Sequence, residues 1–289
     1  MKNGLILFAL ILAATALGVN VMGSHSVERA KKETAFERVV RTGTIRCGYA
    51  LWDPQMIKDP NTGNLSGYDY DVINEMGSVL GLKVDWVEEY GWGTAEQGLV
   101  TGRYDIACNS FWAHPPRAKG AEYSIPFLYL PLFPVVRPGL NGPEDSFAWL
   151  NNPEYKMLIL SGTIGEIVAK RRFPQAKLVD AFSLSAGADA MMNITTGKAD
   201  FTFSDWTTAN RFLMQNPGGI KILPTMIEVT SSALLLPNDD PRMKVMVDKA
   251  LAYLLDSGFV RETMTRHLGQ DQRVWLHPTA HYESAPPVK

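Results

Sequence analysis

Residues 127–139 read FLYLPLFPVVRPG and residues 221–237 read KILPTMIEVTSSALLLP. Both are apolar and extended, and Pro131 and Pro134 in the first lack the N–H that a central β-ladder needs. The first stretch interrupts an alternation that starts near residue 34. A short helix (34–41) precedes a strand at 44–48, and GYDYDVINEMGSVLGL follows, with Val72, Ile73, Met76, Val79 and Leu80 at helical spacing. Asp69 or Asp71 is placed to cap that helix. KVDWVEE reads as a strand, 94–101 as a short helix and YDIACNS as a strand.

The alternation restarts after residue 139. KMLILSGTIGEIVAKRR reads strand, tight turn, helix; AGADAMMNITTG reads helix; KADFTFS reads strand; DWTTANRFLMQN reads helix. Past the second extended stretch come two terminal helices, PRMKVMVDKALAYLLDSG and FVRETMTRHLG. Strand–helix alternation implies parallel βαβ units and an open α/β sheet, with ligands beyond the carboxyl ends of the strands. Two such lobes joined by two extended crossovers form the expected architecture. Residues 34–132 with 230–289 make one lobe and 133–229 the other, and paired crossover strands let the lobes close on a ligand between them. The tail from residue 271 has no period and is expected to lie along the surface or stay loose.

At 289 residues and 46% hydrophobic content the chain can build a substantial core. A net charge of −2 with dispersed Lys and Arg gives no basic footprint, so nucleic acid is not an expected partner. Lys2 precedes GLILFALILAATALGV, an apolar run of signal-peptide length. Residues 1–24 are therefore read as a signal peptide or an N-terminal anchor through residues 4–19, and the protein as exported to the periplasm. Cys47 and Cys108 lie in strand-like stretches that could be neighbours in one sheet, where disulfide geometry is seldom met, and the expectation is two buried thiols. No Cys and His spacing suggests a metal, and no phosphate loop or dinucleotide fingerprint calls for a cofactor.

The ordered set GTIRCGY, GNLSGYDYDVINEMGSVLGLKVDWV, TGRYDIACNS, PPRAKGAEYSIPFLY, SGTIGE, TGKADFTFSD and LDSGFVRETMTRHLG resembles family 3 of the extracytoplasmic solute-binding proteins, the amino-acid type that serves ABC transporters. The likeness spans nearly all of residues 34–269. It implies a type II periplasmic-binding-protein-like clamshell, monomeric, that captures a small carboxylate-bearing solute such as an amino acid and delivers it to a membrane permease. It implies binding without chemistry. Two alternatives share the fold: a sensory partner of a membrane receptor, and an enzyme like cyclohexadienyl dehydratase, for which Glu166 lies one position past the expected acid.

Arg117 stands at the head of the candidate site. Pro115 and Pro116 stiffen its approach, and its planar guanidinium can grip a carboxylate bidentately. The resemblance gives it the ligand's α-carboxylate. Ser110 ends the strand before it. In the second half, Thr163 and Ile164 open a helix whose free N–H groups attract an anion, and Ile164 stands where relatives often have a hydroxyl. Asp205 can cap its own helix; by resemblance it receives the ligand's ammonium. Trp52 or Tyr49 is the aromatic expected on the ligand's side chain, while Ala50 replaces an acid common in relatives. Trp112 occupies a place usually held by a small hydroxyl residue, and either fills part of the pocket or turns into the core. His114 is expected on the rim.

Overall fold

The computed structural model describes residues 33–181, 187–271 and 273–278. Every element below belongs to the compact unit Ala35–Lys289. The expected signal peptide or anchor lies outside the described residues. Among those described, no helix is long and apolar enough to cross a membrane.

In chain order, helix α1 (Ala35–Thr42) leads to β1 (Thr44–Tyr49), the small hairpin β2 (Ile57–Lys58) and β3 (Leu65–Ser66), α2 (Tyr68–Leu80), β4 (Lys83–Glu89), α3 (Ala95–Thr101) and β5 (Ile106–Trp112). A 3₁₀ turn (Pro115–Lys119), β6 (Glu122–Tyr123) and the long strand β7 (Leu128–Val136) follow. Then come β8 (Lys156–Ile159), α4 (Ile164–Arg172), β9 (Lys177–Asp180), α5 (Gly187–Thr195), β10 (Phe201–Asp205), α6 (Trp206–Gln215) and β11 (Lys221–Ile222). The long strand β12 (Glu228–Leu236) precedes the terminal helices α7 (Pro241–Asp256) and α8 (Phe259–Leu268).

The strands join in the order β4-β1-β5-β12-β7-β10-β8-β9. Pairings β1–β4, β1–β5, β8–β9 and β8–β10 are parallel, as βαβ units require, whereas β7 and β12 run antiparallel to their neighbours. The result is a curled mixed sheet in two lobes, with the long strands at its middle. Residues 128–132 of β7 pair with β12 and residues 132–136 with β10. Each half of β7 thus has one main partner, so Pro131 and Pro134 each forgo little of the ladder and sit inside a central strand.

Separate apolar clusters lie on the two sides of the long strands. One gathers Ile45, Met76, Phe127, Leu251 and Met264, and another Val136, Met157, Val168, Phe173 and Phe201. Helix α2 buries Val72, Ile73 and Met76 on the first, and ends at Gly81, whose φ of 66° is left-handed backbone that glycine adopts without a Cβ clash. Full burial of each such side chain contributes roughly 1.5–3 kcal/mol.

Two expectations fail, and a third, the tail, is narrowed to one of its alternatives. The N-cap of α2 is Gly67 and no side chain caps it; Asp69 points inward to the Ser110 N–H (2.7 Å), and Asp71 pairs with His267 (2.7 Å). Cys47 and Cys108 form a disulfide rather than two thiols, with Cα atoms 5.5 Å apart. Cys47 faces Ile106 in the parallel β1–β5 pair, so Cys108 lies diagonally across from it, close to a register shift of β1 between Cys47 and Gly48. The tail is not loose where it is described: Val274 and Trp275 are buried, and Leu276 exchanges backbone bonds with Tyr129.

Candidate functional site

A cavity of about 130 Å³ lies where the ends of β5, β8 and β10 converge. Its lining includes Trp52, Ser110, Trp112, Arg117, Thr163, Ile164 and Asp205, drawn from segments on both sides of the long strands. Tyr49 is not among the lining residues; it is buried, its ring edge-on to Trp86 at 6.0 Å. His114 is buried outside the lining, and burial together with the charge of Arg117 holds its pKa down.

Arg117 sits in the 3₁₀ turn that Pro115 and Pro116 open, its N–H bonded to the His114 carbonyl at 2.9 Å. The buried guanidinium is already engaged. Nε pairs with the Glu96 carboxylate, and Nη2 donates to the carbonyls of Trp92 (3.1 Å) and Gly162 (3.2 Å). The plane lies 5.0 Å over the Phe111 ring. The Tyr123 phenol is a further hydrogen-bond neighbour of the Arg117 side chain, and Arg117 lines the cavity. The sequence suggests an open two-pronged fork; Glu96 and Gly162 already take part of it.

The turn before α4 is held by two side chains of its own first turn. Thr163 Oγ1 accepts from the Gly165 N–H (3.2 Å) and donates to the Leu160 carbonyl (2.7 Å), while Glu166 Oε1 accepts from the Gly162 N–H (2.8 Å). Glu166 does not line the cavity. The backbone N–H groups of Thr163 and Ile164 make no hydrogen bond among the described residues. These donors stand at the positive end of a helix beside the cavity.

Asp205 ends β10 and caps α6, Oδ1 accepting from the Thr208 N–H at 2.9 Å. Burial pushes the carboxyl's pKa up, against hydrogen bonds from the Thr208 N–H and hydroxyl and from the Thr207 and Asp205 N–H groups that pull it down. Ser110 accepts from Gln55 Nε2, while the same Nε2 reaches the Ser110 carbonyl at 2.9 Å.

Trp52 owes its position to a tight local pairing, its N–H and C=O bonded to Met56 at 2.9 and 2.8 Å. Its indole N–H donates to Thr208 Oγ1 at 3.0 Å across the cleft. Trp112 lines the cavity and stacks on Phe203 at 6.4 Å, 30° between planes. Between the two alternatives for Trp112, the indole is part of the wall and also packs against both flanking apolar clusters. Sequence reasoning missed Trp92, Phe203, Gln55 and Met191, which all line the cavity. An aromatic soon after the carboxyl end of β4 is a usable signal for Trp92; alternation in FTFSD (201–205) puts Phe203 and Asp205 on one face, a usable signal for Phe203.

The model of the bacterial extracellular solute-binding proteins, family 3, matches residues 45–270. A Haemophilus influenzae protein named "Probable amino-acid ABC transporter-binding protein" is 26% identical over 94% of this chain and 99% of its own. The cyclohexadienyl dehydratase of Pseudomonas aeruginosa is 23% identical over 86% of this chain and 90% of its own. Among solved structures, the binding component of an ABC transporter from Wolinella succinogenes, complexed with lysine, is 26% identical with a TM-score of 0.68, covering 80% of this chain and 97% of that one.

Proposed function

Because the chain belongs to the bacterial extracellular solute-binding proteins of family 3, we propose that it captures one zwitterionic amino-acid-like solute between its lobes and hands it, as a monomer in the periplasm, to an ABC-transporter permease. We assign residues 34–132 with 230–289 to one lobe and 133–229 to the other. The reading rests on one observation: a cation, Arg117, and an anion, Asp205, from segments on opposite sides of the long strands line the same cavity.

In this reading the Arg117 guanidinium and the N–H groups of Thr163 and Ile164 hold the α-carboxylate, while the Asp205 carboxylate receives the α-ammonium. Ser110, Trp52, Trp112 and Ile164 wall the body of the ligand. Neither charge alone defines an amino acid; together they match both ends of one. Arg117→Ala should weaken binding by about 2–5 kcal/mol, since it removes one side of a desolvated pair. Isothermal calorimetry with the cognate amino acid checks this, and unchanged affinity would remove Arg117 from the site.

The Pseudomonas relative is an enzyme, and the fold alone does not separate catalyst from carrier. A dehydratase needs a positioned acid. Glu166, the candidate, instead has its Oε1 bonded to the Gly162 N–H and lies off the lining, which favours binding without turnover. Incubating the protein with prephenate and arogenate while monitoring the aromatic product tests the point; product formation would replace the carrier reading with an enzymatic one.

A further inference from the structure

Resting on the amino-acid reading above, we infer that the ligand's side chain is uncharged, and that amino acids with a charged side chain are rejected.

The inference follows from counting charges around the cavity. Besides the Tyr68 phenol, Arg117 and Asp205 are the ionisable side chains among the lining residues. They match the two ends of a zwitterion and leave nothing over. Glu96 is held by Arg117, Asp180 by the Ser161 hydroxyl and N–H, and Glu166 by the Gly162 N–H, and none of the three reaches the lining. A third charge, such as a lysine ammonium, a guanidinium or a second carboxylate, would lose its hydration with no counter-charge to face.

The remaining wall is mostly apolar and carries no charge, its polar groups being the Gln55 amide, hydroxyls such as those of Ser110, Thr202 and Thr208, and the buried Trp92 indole N–H. Trp52, Trp92, Trp112, Phe203, Ile164 and Met191 contribute to it. Trp52 and Trp92 meet edge-on at 5.6 Å, and Trp92 meets Phe111 edge-on at 5.2 Å, so the aromatic groups support one another. The indole N–H of Trp52 already bonds Thr208 and is not offered to a polar side chain. At about 130 Å³ the space resembles an apolar cavity of roughly 150 Å³ that admits benzene. Trp112 and Phe203, stacked on each other, set its limit on one side.

Calorimetry on the full mature chain should compare L-leucine, L-methionine and L-phenylalanine with L-lysine, L-arginine and L-glutamate. At least one apolar amino acid should bind on the order of a hundredfold more tightly than any charged one, a difference equal to the loss of one buried counter-charge. Leu160→Glu, which adds a carboxylate at a half-buried lining position, should raise lysine affinity relative to leucine. Lysine, arginine or glutamate binding as tightly as the apolar set would overturn this inference and leave the amino-acid reading standing. If 4-methyl-2-oxopentanoate, which lacks the ammonium, equals leucine, or if no amino acid binds, the underlying reading falls and takes this inference with it.

Discussion

Asp69 shows what a single buried group does to the pH behaviour of this protein. Oδ2 accepts from the Ser110 N–H, while Oδ1 is buried with no partner. Burial raises its pKa from 3.8 to about 7, against hydrogen bonds from Ser110, Asn109 and Gln55 that lower it. Its titratable neighbours Tyr68 and Tyr90 are held protonated by burial. Since the folded carboxyl binds its proton more tightly than the unfolded one, this group favours the fold most below pH 4. That advantage fades as pH rises and is gone above about pH 7. The shift corresponds to roughly 4 kcal/mol. Melting temperature should therefore fall between pH 4 and 7, and Asp69→Asn, which keeps an acceptor for Ser110, should flatten that part of the curve. An unchanged slope in the variant would assign it to other groups.

At the scale of elements, the disulfide ties β1 to β5, the strands whose carboxyl ends lead to Trp52 and carry Ser110. Its cysteines are 61 residues apart, and closing a loop of that length restricts the unfolded chain by about 4 kcal/mol in the loop-entropy model. Replacing both cysteines by alanine should lower stability by up to that amount in urea titration. Most strands and helices could be read from sequence because each carries one clear period. That Arg117 and Asp205 lie at the cavity could be read because each stands at or just past a strand's carboxyl end. The disulfide could not, because it depends on the register between two parallel strands. Nor could Glu96 at Arg117, a pairing between residues distant in sequence and carried by a helix and a loop. In sequence Asp69 or Asp71 reads as a cap, because helix propensity at those positions says nothing of a neighbouring strand's N–H.

For the whole molecule, what matters is how few side-chain bonds cross the cleft among the described residues. The indole of Trp52 donates to Thr208, Arg117 donates to Gly162, and Asp53 pairs with Arg211 at the surface. Gly187 is the tight point of this seam, since a Cβ there would come within 2.5 Å of Thr208 Cγ2 and 2.7 Å of Trp52 Cζ2. Gly187→Ala should act as a wedge, weakening ligand affinity and increasing the radius of gyration of the ligand-saturated protein in small-angle scattering. A variant as compact as the parent and with equal affinity would show that the indole yields without cost. The Trp52 bond has one more consequence. An indole hydrogen-bonded across the gap in one arrangement and wetted in another emits at different wavelengths, so the protein carries its own optical gauge of whether it is shut.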